Sequence, residues 1–142
     1  MEAIVERIAV WIVEAIDGAH DPGATLTLRA VRPKILDWRV EDFKHGDVII
    51  EFIKAGPYLI TTSSRIKLAE WQLYGIITTL PANTDADDVL ERMADTIRKT
   101  LLSGNKRGRA CGGMALNIDC PEVTYSIMSG GVVAKMTVQV RF

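Results

Sequence analysis

The end of the chain alternates with period two. Val132, Ala134, Met136, Val138, Val140 and Phe142 fall on one side, and Val133, Lys135, Thr137, Gln139 and Arg141 on the other. Successive side chains of a strand point to opposite faces, so this is a half-buried strand running to Phe142. A chain that ends in a strand needs a sheet to receive it, which ties the C-terminus into the fold where most termini fray. Any fold for this sequence therefore contains a sheet with at least one apolar side to cover.

Two helices have the pattern to cover it. Ile4, Ile8, Ile12 and Ile16 recur every four residues, widened by Val5, Ala9 and Val13, which predicts an amphipathic helix over 2–17 with Gly18 as its stop. Val89, Met93, Ile97 and Leu101, with Leu90, Ala94 and Leu102, give a second apolar stripe over 85–102. Thr84 and Asp87 are spaced like a capping box, Asp85, Asp87 and Asp88 suit the positive end of the helix dipole, and Gly104 is the expected stop.

The rest reads as strands and turns. His20-Asp21-Pro22-Gly23 is a turn. Thr25–Val31 places Leu26, Leu28 and Ala30 together and is interrupted at Pro33. A short strand is expected over Ile35–Val40, then a turn at Glu41–Asp47 around Gly46. The dense apolar run Val48–Ile53 reads as a central strand covered on both faces. Lys54–Ser64, with Gly56, Pro57 and a Thr-Thr-Ser-Ser tract, reads as a loop. Arg65–Leu80 is a long strand whose apolar parity changes near Leu68–Ala69, which predicts a bulge there. Met114–Ile118, Val123–Met128 and the final strand complete a three-stranded meander, turned at Gly130-Gly131. The expected class is α+β: a largely antiparallel sheet with both helices on one face and a C-terminal meander, in a single domain over 1–142.

Composition narrows the function classes. At 142 residues, 48% hydrophobic and 25% charged, the chain has an ordinary globular balance, which gives no indication of disorder. A net charge of −1 argues against a general nucleic-acid binder, which normally carries a clear basic excess. No apolar run approaches the roughly 18 residues of a membrane-spanning helix. The start, with Glu2, Glu6 and Arg7, is unlike a secretory signal, so a cytoplasmic location is expected.

Residues with chemistry are few. Cys111 and Cys120 form half a zinc ligand set at most, with His20 and His45 far away in sequence, so two reduced thiols are expected and no metal or other cofactor. Cys111-Gly112-Gly113 reads as a tight entry into a strand. His20-Asp21 sits in a turn with no nucleophile motif beside it. With no recognisable catalytic constellation, an enzyme is not expected. Lys106, Arg107 and Arg109, in Ser103–Arg109, fit either a grip on phosphate or an acidic partner, or a solvated loop offsetting the acidic start of the preceding helix. Trp71 belongs in the core. Trp38, beside Asp37 and Arg39, suits either a subunit contact or burial.

The element order resembles that of the tail terminator proteins of long-tailed phages, of the lambda minor tail protein U type, and related prophage proteins. The features that carry it are the amphipathic start Ile4–Ile16 leading to strand Thr25–Val31, the strand Arg65–Leu80 running into helix Asp85–Leu102, and Gly112-Gly113-Met114-Ala115-Leu116-Asn117-Ile118 before a hairpin ending Val138-Gln139-Val140-Arg141-Phe142. The resemblance implies a structural protein that closes a hexameric ring on the end of a finished tail tube, stops its growth and offers a face for head attachment. Its partners would be copies of itself, the tube protein and a head-completion protein, without membrane or specific nucleic acid, in the host cytoplasm and then the virion tail. Trp38, Arg39, Phe43, Lys44 and the tract Thr61, Thr62, Ser63, Ser64 and Arg65 are the expected contacts with subunits or tube, and Lys106, Arg107 and Arg109 an exposed functional loop. The alternative is a small nucleic-acid- or protein-binding module that uses the basic loop 104–109.

Overall fold

Helix α1 (Ala3–Ile16) buries Val5, Ile8, Ala9, Ile12 and Ile16, the four-residue spacing expected of it. Gly18 follows, its N–H bonded to the Leu28 carbonyl at 2.8 Å, which turns the chain back along the helix. The computed structural model describes every residue except 1–2, 21–25, 35–36, 61–64, 80–84, 104–108 and 129–130, and backbone alone at 57–60, 65 and 128. The turn expected at 20–23 therefore falls largely outside the described residues, with His20 bridged to Thr27.

Strand β1 is only Arg29–Val31, shorter than the expected Thr25–Val31. Its apolar side holds, because Leu28 is buried with Leu26 and Ala30 packed beside it. A 3₁₀ turn at Val40–Asp42 stands near the end of the strand expected over 35–40, since Asp42 Oδ2 accepts the Arg39 N–H at 3.0 Å and curls the backbone. Gly46, at φ +88°, makes the next turn, and a Cβ there would lie 2.8 Å from the Thr27 carbonyl oxygen, so the position admits only glycine without strain.

Strand β2 (Asp47–Ile60) takes in residues 54–60 of the loop expected at 54–64, and 61–64 lie outside the described residues. One extra residue enters between Phe52 and Lys54 and another between Pro57 and Leu59, and these irregularities let a strand carry Gly56 and Pro57. Strand β3 (Arg65–Ile77) keeps regular pairing with the C-terminal strand. The bulge expected near Leu68–Ala69 is thus in the partner strand. Ala69, Trp71, Leu73 and Ile77 face the helices, and Leu68 faces the other way.

Helix α2 (Ala86–Leu102) is capped by Asp85, whose Oδ1 accepts the Asp87 N–H at 3.0 Å. The cap is one residue later than the Thr84 expected from spacing. Asp87 and Asp88 occupy the first turn, and Leu90, Met93, Ala94, Ile97 and Leu101 form the buried face. The expected stop at Gly104 lies outside the described residues. A second 3₁₀ turn, Cys111–Gly113, leads to β4 (Asn117–Met128) and β5 (Gly131–Arg141). Of the strand expected over 114–118 only Asn117 and Ile118 are in β4, where they are continuous with the strand expected over 123–128 across an irregularity between Asp119 and Glu122; Ala115 instead bridges Ala110.

The strands form one sheet in the order β1-β2-β3-β5-β4, with β1 and β2 parallel and every other pair antiparallel. Both helices pack on one face, so the α+β class expected from the sequence is the class observed. At Gly75 the Met93 side chain of α2 lies directly on β3, and a Cβ there would meet Met93 Sδ at 2.7 Å, so a larger residue would make that side chain move.

Candidate docking surface

The face of the sheet away from the helices is a set of cross-strand rows. Directly paired residues share a face. One row is therefore Ile49, Tyr74, Lys135 and Thr124, and the next is Glu51, Gln72, Thr137 and Glu122. Lys54, Glu70, Gln139 and Asp119 follow, then Gly56, Leu68, Arg141 and Asn117. Most of these side chains are polar, and several are tied to neighbours. Gln139 Nε2 donates to Glu70 Oε1 and Arg141 Nη1 to Asn117 Oδ1, both at 2.8 Å.

One end of this face carries a small second core. Val40, Ile49, Ile76 and Val133 are buried, with Trp38, Phe43 and Tyr74 packed over them. The Trp38 ring meets Phe43 and Tyr74 edge-to-face at 5.6 and 4.9 Å, and Trp38 Nε1 donates to Glu51 Oε2 at 3.2 Å. Burial, with the Glu51 charge as the lesser cause, raises the Tyr74 phenol pKa. Asp47 anchors the segment. It is 1% exposed and accepts Arg29 Nε at 2.9 Å, Arg29 Nη2 at 2.8 Å and the Lys44 N–H at 2.9 Å. A buried carboxylate persists when its lone pairs are filled in this way.

This geometry sorts the residues expected to make contacts. Trp38 and Phe43 come together, half-buried as an internal cap rather than free anchors, while Arg39 and Lys44 are exposed at its rim. Tyr74 completes the cluster. It lies six residues along β3 from Leu68 and so shares its parity, which is the signal the sequence holds for its facing away from the helices. Arg65 begins β3, its side chain outside the described residues, as are Thr61, Thr62, Ser63 and Ser64. Lys106 and Arg107 lie outside them too, and Arg109 is exposed.

The sheet edges are the second feature. β1 pairs with β2 only at residues 47–49, so most of β2 has no strand on its outer side among the described residues. Beyond the end of β5, the β2–β3 hairpin continues as an arm over Pro57–Ile60 of β2, in which Pro57, Leu59 and Ile60 pair with β3 and which extends roughly 13 Å at strand rise. β4 forms the opposite edge. Its Tyr125 is 43% and its Ile127 90% exposed, both on the helix side of the sheet. A shallow groove of about 310 Å³ along the outside of α1, between Glu6, Arg7, Val10, Trp11, Glu14 and Met114, is a third surface feature.

Cys111 and Cys120 are free thiols in the core. Burial pushes Cys111 up to about 12. It pushes Cys120 up to about 11, with Arg98 opposing and Asp119 adding to the shift. High thiol pKa values leave little thiolate, the reactive form. Cys111 takes a left-handed φ of +52° in the tight turn expected from Cys-Gly-Gly. Among the described residues no cluster of three metal-binding side chains occurs, and no helix is long and apolar enough to cross a membrane. No protein-family model matches the sequence, and no curated protein matches it.

Proposed function

We propose that the chain is a structural, non-enzymatic tail protein of the terminator kind, which closes a ring of identical copies on the end of a tail tube. There it stops tube growth and presents a face to the head-completion protein, acting in the host cytoplasm and then in the virion tail. The observation that supports this best is a sheet open at both ends: β4 on one side and the β2–β3 arm on the other. Long unpaired edges are a liability that proteins cover or occupy. Two different edges on one chain fit the heterologous contacts from which closed rings are built. The polar rows and the rim residues Arg39 and Lys44 supply a hydrogen-bonding face for tube or head.

The test is light scattering of the purified protein across concentrations, alone and with isolated tail tubes, followed by electron microscopy. Self-association, ring-shaped particles of six copies and capped tubes that no longer elongate are expected. A protein that stays monomeric at every concentration and leaves tubes untouched would exclude this function.

A further inference from the structure

We infer that the outer face of α1 pairs antiparallel, about a two-fold axis, with the same face of a second copy of this chain. The contact uses neither edge of the sheet, so it goes beyond the ring and stands apart from it. The stripe of residues on that face is the first argument. Val5, Ile8, Ala9, Ile12 and Ile16 are buried in the core. Arg7, Val10, Trp11 and Glu14, at helical spacings of three, four and seven, lie on the opposite side of the helix. Arg7, Val10 and Glu14 are exposed, and Trp11 is half-buried. With Met114 they border the shallow groove outside α1. The Trp11 indole rests against Gly112, where a Cβ would lie 3.5 Å from Trp11 Nε1, and the same side chain lines the groove.

Charge chooses the occupant. Arg7 and Glu14 stand at opposite ends of the stripe, and neither has a salt-bridge partner among the described residues. Glu6, also at the groove, already accepts both terminal nitrogens of Arg32, so its charge is balanced within the chain. An antiparallel copy whose axis passes between Val10 and Trp11 sets Arg7 of each helix against Glu14 of the other, and Val10 against Trp11. A parallel copy would set Arg7 against Arg7 and Glu14 against Glu14, so the charges select the antiparallel arrangement. An aromatic anchor at the centre with charges around it is the anatomy of a protein–protein contact. Ala3 and Gly18, exposed at the two ends of the stripe, fall opposite each other and are small enough to let the helices approach closely. Because the contact is isologous, each ion pair occurs twice.

Charge reversal tests this. Arg7→Glu alone and Glu14→Arg alone should each dimerise at least about tenfold more weakly than the parent, because each brings like charges together twice. The double variant Arg7→Glu/Glu14→Arg should regain dimerisation, as should an equimolar mixture of the two single variants. Analytical ultracentrifugation measures the affinities, and far-UV circular dichroism checks that every variant is folded. A Val10→Cys chain, whose own two thiols are buried, locates the contact. Mild oxidation should link it into a disulfide dimer, and an Asp95→Cys control, exposed on α2, should stay unlinked. Single variants that dimerise like the parent, a double variant that stays weak, or linking as strong in Asp95→Cys as in Val10→Cys would overturn the contact. So would a parent that forms no dimer at any concentration. Tube capping is read separately. A chain that caps tubes without linking through Val10→Cys loses this contact and keeps the ring, and one that links without capping does the reverse.

Discussion

The two faces of the sheet are built from alternate residues of the same strands and could hardly differ more. On the helix side Trp71, Leu73, Ile77, Met136, Val138 and Val140 are closed off from water, and Gly75 leaves room for the Met93 side chain of α2. On the other side a small aromatic cap occupies one end and polar rows the remainder. Stability is concentrated on the first face. The second adds less, through the aromatic cap and the Asp47 ion pair, and its remaining rows are mostly polar. The difference shows that a residue's place in the fold says more about its role than its type does: Trp71, on the helix-facing side of β3, is 1% exposed in the core, while Trp38, in the segment before the first 3₁₀ turn, is half-buried in the cap.

The largest expected effect is on the helix side. Trp71→Ala should cost about 4 kcal/mol in equilibrium unfolding by guanidinium chloride, since the cavity lies under both helices. Trp71→Phe should cost less than about 1.5 kcal/mol, because Trp71 Nε1 has no hydrogen-bond partner among the described residues and its loss breaks nothing. A Phe variant as damaged as the Ala variant would show that the indole N–H is bonded after all. On the other face the largest loss should come from Asp47→Ala, about 2 kcal/mol, because it strips the Lys44 N–H and the Arg29 guanidinium of their acceptor. Asp47→Asn, which keeps one acceptor, should lose about half as much. Equal losses would mean that the carboxylate charge matters more than its geometry.

The buried thiols sharpen the contrast through pH. Cys111 and Cys120 both line the helix-side core. Their pKa values are raised from an ordinary 9.0, so the unfolded chain ionises first as pH rises. Stability from this source is fully present below about pH 9 and is lost progressively toward pH 11–12, about 1 kcal/mol per thiol at pH 10. Unfolding midpoints at pH 8 and pH 10 should fall further for the parent than for a Cys111→Ala/Cys120→Ala variant. Equal falls in the two proteins would mean that other groups carry the alkaline loss.

Regular elements buried on one side were legible in the sequence. The four-residue isoleucine spacing, the α2 stripe and the final alternation each report a single burial face, and each survives in the structure within a residue or two. Where a strand is unpaired on its outer side the pattern fades. Residues 54–60 are rich in Gly and Pro and read as a loop, yet pairing with β3 alone suffices to hold them extended. The sequence divides β4 in two at 119–122, where Pro121 stands; on an edge strand no outer neighbour needs the donor that proline lacks, so the chain stays extended through it. The aromatic cap escaped for another reason. Trp38, Phe43 and Tyr74 are brought together by the Asp47 ion pair and the Gly46 turn, long-range events without a local period.

The smallest expected effect is the most direct measure of how the two faces differ. Met136 and Thr137 are neighbours on β5, one buried under the helices and the other half-exposed between Gln72 and Glu122. Met136→Ala should cost about 3 kcal/mol. Thr137→Ala should cost less than about 0.5 kcal/mol in dilute protein, since water replaces what the hydroxyl loses. Chemical denaturation at several protein concentrations separates the alternatives. A Thr137→Ala loss above about 1.5 kcal/mol in dilute protein would mean that the polar rows are part of the folding core, because an exposed, water-replaceable hydroxyl cannot account for so much. A loss that instead grows with concentration would put a neighbouring copy on this face, since only an interface couples stability to the amount of protein present.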